Sequence, residues 1–200
     1  MAPQLYLVTP ADPDRAKFAT VLMNVLSSAE VAALLVRRGQ ADSAAYAALA
    51  AQVINIGQGA GCAVLLENDV ALAKKLGADG VHISSGPEAV MEAITALKPK
   101  MIVGASAGAT RHDAMTLGEM DVDYLLFGPL EGTSDPKSAD LAQWWAATFE
   151  IPAVLSNPEA SAIDADSLGA EFLALSSSIW SAPSPGEALG SIADAIKVST

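Results

Sequence analysis

The chain has 200 residues, 52% of them hydrophobic and 17% charged, with a formal net charge of −12. That composition folds around a substantial core and fits one domain over residues 1–200 better than two, which excludes a disordered chain. The acidic balance disfavours nucleic acid and anionic membrane surfaces as partners, and no apolar run approaches the ~20 residues that a membrane helix needs.

The opening MAPQLYLVTP has neither the basic region nor the long apolar region of a signal peptide. A single cysteine, Cys62, cannot form an internal disulfide, which fits a reducing, cytoplasmic setting.

Short apolar runs at 5–9, 31–37, 62–67, 80–83, 101–106, 123–128, 152–156 and 171–177 predict eight strands. They are continuous rather than alternating, as in strands covered on both faces. Helical spacing separates them. Phe18, Val21, Leu22, Val25 and Leu26 form one stripe, and Val90, Ala93, Ile94 and Leu97 another. Leu141, Trp144, Trp145 and Thr148 repeat it, and Leu189, Ile192, Ala193 and Ile196 close the chain with it. The stretch 159–168 is the poorest helix, with Ala160 and Ile163 as its few anchors. GQGAG at 57–61 precedes a strand, so it reads as a helix end and turn, not a phosphate loop. SAPSPGE at 181–187 is a turn before the last helix. Eight strands each followed by a helical segment predict a (β/α)8 TIM barrel. An open doubly wound sheet is the alternative.

Ligands of such a barrel bind where the strands end. Those ends read Thr9, Arg37-Arg38, Glu67-Asn68-Asp69, His82 to Ser85, Ser106, Gly128-Pro129, Ser156-Asn157 and Ser176 to Ser178. Arg37, Arg38 and Lys137 are the cations placed to face this mouth, with Arg111 a candidate fourth. Asp69 has two readings: an N-cap of the following helix, or a carboxylate for Mg2+ with Asn68 on the ligand. The apolar run around His82 favours a core histidine with a satisfied ring over a catalytic one. Cys62, at a strand start, reads as a small buried hydrophobe. Trp180 either roofs a ring-shaped ligand or covers the barrel. The three serines 176–178 are turn chemistry or an anion site.

These motifs, in this order, resemble those of the thiamine phosphate synthases and related thiazole tautomerases. The resemblance is carried by LYLVTP, LLVRRG, LLENDVALAKKLGADGVHI, IVGAS, DVDYLLFGPLEGTSDPKS and LALSSSIW. It implies condensation of a pyrimidine pyrophosphate with a thiazole phosphate, releasing pyrophosphate, in thiamine biosynthesis. It further implies that Arg37 and Lys137 meet the pyrophosphate and that Asp69 takes Mg2+ beside Asn68. Ser106 would contact ligand. Ser156, Asn157, Ser176, Ser177 and Ser178 would hold the phosphate. The expected partner is a small phosphorylated heterocycle, with a homo-oligomer left open.

Several family positions are replaced. Leu35 and Gly39 stand where a Gln and a Lys flank the arginine, and Val70 replaces an arginine after Asn68-Asp69. Pro87 lies near the place of a second metal aspartate. TSDPK shifts Lys137 by one, and Ser156-Asn157 replace a Gly-Gly. Gly108 holds the place of the tautomerase histidine, with His112 further along. Each lost charge-assisted contact costs about 2–3 kcal/mol of transition-state binding. Reduced or lost turnover is therefore expected. The alternatives are a non-catalytic phosphate-ligand-binding barrel, or an isomerase or hydrolase of another phosphorylated heterocycle.

Overall fold

The computed structural model describes residues 2–198. Eight strands alternate with helices except between β7 and β8. The strands are β1 (Gln4–Val8), β2 (Ala33–Val36), β3 (Ala63–Glu67), β4 (Gly80–Ile83), β5 (Ile102–Ser106), β6 (Tyr124–Phe127), β7 (Ala153–Ser156) and β8 (Phe172–Leu175). The helices are α1 (Arg15–Ser28), α2 (Ser43–Gly59), α3 (Val70–Leu76), α4 (Pro87–Leu97), α5 (Arg111–Gly118), α6 (Pro136–Thr148), α7 (Ser177–Trp180) and α8 (Pro185–Val198). The strands pair in parallel in chain order, and β8 returns to β1 to close the barrel. The expected (β/α)8 architecture is therefore the observed one. Among the described residues, no helix is long and apolar enough to cross a membrane.

Side-chain alternation divides each strand between two cores. Tyr6, Val8, Leu35, Leu65, Tyr124, Leu126, Val154 and Ala174 fill the barrel interior. Leu5, Leu7, Leu34, Val64, Val81, Val103, Leu125 and Leu173 point outward into the layer shared with the helices. This double burial is why the strands read as unbroken apolar runs. Cys62 is buried at the start of β3, and burial pushes its thiol up to about 12, so it packs as a hydrophobe.

At the N-terminal end, acidic residues just before β4, β6 and β8 each satisfy the neighbouring strand. Asp79 accepts from the Val64 N–H at 2.7 Å, Asp123 from Val103 at 2.7 Å and Glu171 from Ala153 at 2.8 Å. Each carboxylate closes a backbone donor that the ladder leaves open.

The structure departs from the expected alternation after β7. Residues 159–168 form turns, not a helix. Asp164 accepts from the Ser161 N–H and hydroxyl, and Asp166 from the Leu168 N–H, so side chains take up donors that a helix would need. Ile163 is 99% exposed, which leaves Ala160 as the buried anchor. The short α7 then follows β8 and leads into α8.

Candidate functional site

The side chains at the C-terminal rim follow the interior alternation by two residues: Leu35 leads to Arg37, Leu65 to Glu67, His82 to Ser84, Gly104 to Ser106, and Val154 to Ser156. Thr9, just past β1, accepts from the Arg37 N–H at 3.0 Å and fixes the end of β2. Tyr46 of α2 does the same between β2 and β3. Its hydroxyl donates to Val36 O at 3.0 Å and accepts from the Glu67 N–H at 3.2 Å. Burial raises the Tyr46 hydroxyl well above its ordinary value, so it stays a neutral donor.

Glu67 is nearly buried and organises both arginines. Its Oε2 accepts from Arg37 Nε at 3.3 Å and from the Arg38 N–H at 2.8 Å. Arg38 then reaches outward over the Tyr46 ring, 4.7 Å from its centroid, to Asp69 Oδ2 at 3.1 Å. The Nη1 of Arg37 lies 3.2 Å from Glu131 Oε2 in the β6–α6 loop, outside hydrogen-bond geometry. This buried guanidinium nitrogen therefore has a charge partner but makes no hydrogen bond. Glu131 itself is 66% exposed. This cluster sets two guanidinium charges against three carboxylates, Glu67, Asp69 and Glu131.

Asn68 adopts a left-handed backbone (φ 53°), which Asn tolerates better than most residues. Its amide ties the loop after β3 to the loop after β4. The side-chain oxygen accepts from the Ser84 N–H at 2.9 Å and the Ser85 hydroxyl at 3.2 Å, and the amide nitrogen donates to Ser84 Oγ at 2.8 Å. Asp69 caps α3 through Oδ1, which accepts from the Leu72 N–H at 2.9 Å. Both its oxygens are thus engaged. Among the described residues, no group of three His, Cys, Asp or Glu side chains is placed to hold a metal. A Mg2+ ion typically takes one or two carboxylates, then phosphate and water. As arranged, with Arg38 on Asp69, the donor set does not fit a metal held by the protein alone.

Ser106 ends β5 half-buried, with its Oγ 3.0 Å from His82 Nε2. The other ring nitrogen, Nδ1, lies 2.9 Å from the Tyr124 hydroxyl. His82 is fully buried, which drives its ring down to about 3. The satisfied core histidine is what the structure contains.

At the β7–β8 end, hydroxyls secure backbone. Ser156 donates to Pro129 O at 2.6 Å, Ser176 to Val8 O at 3.1 Å and Ser177 to Pro158 O at 3.2 Å. The Ser178 hydroxyl is buried without a partner. Asn157 is half-buried and donates its N–H to Ala174 O. Trp180 donates to Val8 O at 2.6 Å and packs on Phe18 at 5.2 Å, which makes it a cover for the barrel wall. Lys137 is exposed in the first turn of α6, and its N–H donates to Asp135. Arg111 lies over the Trp144 ring at 4.5 Å.

The rim therefore gathers Arg37, Asn68, Asp69 and Ser106 at the β2–β5 side and Ser156, Asn157 and the three serines at the β7–β8 side. The strand-end reading does not assign roles to Glu67, Glu131, Tyr6 and Tyr124. Glu67 was accessible through alternation from Leu65. Glu131 lies in an irregular loop, where no period applies.

Comparison with known proteins agrees with this geometry. A family model described as thiamine monophosphate synthase matches residues 5–179. A thiamine-phosphate synthase of Hyphomonas neptunium is 35% identical over 190 residues, covering 88% of this chain and 86% of that protein. Another, from Erythrobacter litoralis, is 33% identical and covers 89% and 88%. The solved thiamine phosphate pyrophosphorylase of Pyrococcus furiosus superposes with a TM-score of 0.82 at 18% identity, over 98% of this chain and 96% of that one. With the barrel, its ordered strand-end residues and a match over most of its length, this chain belongs to the thiamine monophosphate synthase family.

Proposed function

We propose that the chain binds a thiazole phosphate and a pyrimidine pyrophosphate at the C-terminal mouth, in the cytoplasm, and joins them slowly with release of pyrophosphate. One observation carries this reading: Arg37 Nη1 is buried at the rim without a hydrogen bond, its charge partner there being the exposed Glu131 carboxylate at 3.2 Å, outside hydrogen-bond geometry. A buried donor without a partner is costly, and a ligand oxygen would relieve that cost. As the bond to pyrophosphate breaks, negative charge grows on the leaving group. Arg37, oriented by Glu67 and Thr9, is the cation suited to receive it. Arg38, after β2, and Lys137, in the first turn of α6, are the further cations at the mouth; Ser106 would meet a ligand oxygen and Asn68 would lie beside a ring. The phosphate would lie among Asn157, Ser178 and the backbone of the β7–β8 end. Asp69 would contribute to a metal only after Arg38 turned away. Thiamine phosphate formed from the two substrates is the test. Slow, saturable product formation is the expected result, and no product at high protein concentration would overturn it.

A second reading has its own support. The two arginines at the rim are already paired with carboxylates, and the metal donor set is incomplete. A non-catalytic member would keep the pocket and bind without turnover. Ligand-induced stabilisation with no product would favour it.

A further inference from the structure

A continuous hydrogen-bonded chain crosses the barrel interior. The Tyr6 and Tyr124 hydroxyls are 2.9 Å apart, Tyr124 is 2.9 Å from His82 Nδ1, and His82 Nε2 is 3.0 Å from Ser106 Oγ. The Tyr124 and His82 rings stack at 5.7 Å, and Tyr6 meets Tyr124 edge-on at 5.8 Å. His82, Gly104 and Tyr124 share one level of the sheet. Gly104 makes the crossing possible, because a Cβ there would lie 2.0 Å from the Tyr124 ring. Tyr6 is 1% exposed and His82 fully buried, whereas Ser106 reaches the mouth.

Three hydroxyls and one neutral imidazole hold four hydrogens for three contacts. One hydrogen is left over, and the direction of the chain decides at which end. At the base, Tyr6 faces an apolar cavity of about 320 Å3, walled by Ala33, Ala63, Leu65, Ile102, Val154 and Phe172. The polar residues at that cavity's edge are Gln4, which is exposed, and Asp123, which already pairs with Lys98 and the Val103 N–H. Because Tyr6 itself is 1% exposed, a hydrogen stranded on it would meet neither solvent nor a second acceptor among the described residues. At the mouth it meets solvent or ligand. The penalty for a buried unpaired donor weights the populations by roughly tenfold or more toward the second arrangement.

We propose that this chain is polarised from base to mouth: Tyr6 donates to Tyr124, Tyr124 to His82 Nδ1, and His82 Nε2–H to Ser106, whose own hydrogen is thereby presented to an oxygen of the ligand. His82 and Tyr124 are positioning residues, and Ser106 is the contact. The ligand clause rests on the reading of the mouth as the phosphate-ligand site; the polarity does not. The low proton affinity of the buried ring keeps His82 neutral across the working range. A hydroxyl oriented this way favours acceptor atoms, such as pyrophosphate or phosphate oxygens, over donor groups.

The direct test is long-range 15N–1H NMR of the imidazole nitrogens in the intact protein. The chain has two histidines, and the exposed His112, as His112→Gln, assigns the signals of His82. The expected result is one neutral tautomer with its hydrogen on Nε2, unchanged from about pH 8 to about pH 5. Hydrogen on Nδ1, or a protonated ring in that range, would overturn the polarity. The second arm titrates inorganic pyrophosphate. Ser106→Ala should weaken its binding about fivefold or more, and Ser106→Thr, which keeps the hydroxyl, should restore it. Unchanged binding by Ser106→Ala would overturn the donor role. Failure of the unaltered protein to bind pyrophosphate would count against the mouth reading, and the ring signal would still decide the polarity.

Discussion

Nη1 of Arg37 stands 3.2 Å from Oε2 of Glu131, close enough for charge attraction but without a hydrogen bond. An exposed loop carboxylate thus occupies the space in front of the buried cation at the barrel mouth. An incoming pyrophosphate must displace it. Glu131→Gln removes the competing charge and should tighten inorganic pyrophosphate binding by about threefold to tenfold, or about 0.7–1.4 kcal/mol, by calorimetry.

Removal of Arg37 should act in both function and stability. Its partner Glu67 is 11% exposed and would keep only the Arg38 N–H and solvent. Arg37→Ala should abolish detectable pyrophosphate binding and destabilise the fold by about 2–3 kcal/mol, measured by chemical denaturation. Unchanged stability would mean that the Arg37–Glu67 pair is not held in the folded protein.

The neutral, buried His82 predicts a definite pH dependence. Its proton affinity is depressed from 6.5 to about 3 in the folded chain. The unfolded chain therefore binds the extra proton first as pH falls. The stabilising contribution is complete above pH 6.5 and is lost as pH drops below it, with a slope approaching about 1.4 kcal/mol per pH unit. Between pH 6.5 and about pH 5, before most carboxylates titrate, a His82→Gln variant should show a flatter stability profile than the unaltered protein.

Gly104→Ala tests the interior crossing. The added methyl group would lie within the Tyr124 ring volume, and Tyr124 is buried. The expected cost is about 3 kcal/mol or more in denaturant midpoint analysis, together with loss of the single His82 tautomer signal.

Asp69 predicts the metal behaviour. One oxygen caps α3 and the other holds Arg38. Mg2+ alone should shift the melting temperature by less than about 1 °C, whereas Mg2+ with pyrophosphate should shift it further than pyrophosphate does. A large shift from Mg2+ alone would show that Arg38 gives way readily.

The barrel was legible because the strands are short and apolar on both faces, as at Val81, and all but β7 are followed by a helix, as α4 with Val90 follows β4. Where local side chains competed with the backbone, periodicity misled: Ser161, Asp164 and Asp166 turned 159–168 into loops. The candidate site was legible as a rim, not as a set of contacts. Both readings of Asp69 were open in the sequence, and its capping bond became visible only when the loop geometry was known. Arg37 could be placed at the mouth from its strand, but its neutralisation by Glu67 and Glu131 depends on residues 30 and 94 positions away. No local pattern encodes such partners. The family resemblance implies phosphate contacts at Ser156, Ser176 and Ser177, and in the folded chain their hydroxyl hydrogens go to carbonyls that no local pattern announces.

Pyrophosphate release with both substrates present, measured for the unaltered chain and for Arg37→Ala, tests the central claim most directly. A slow release that needs both substrates and disappears with Arg37 is the predicted result. Release that survives in Arg37→Ala, or an unaltered chain that neither releases pyrophosphate nor binds either substrate, would contradict it.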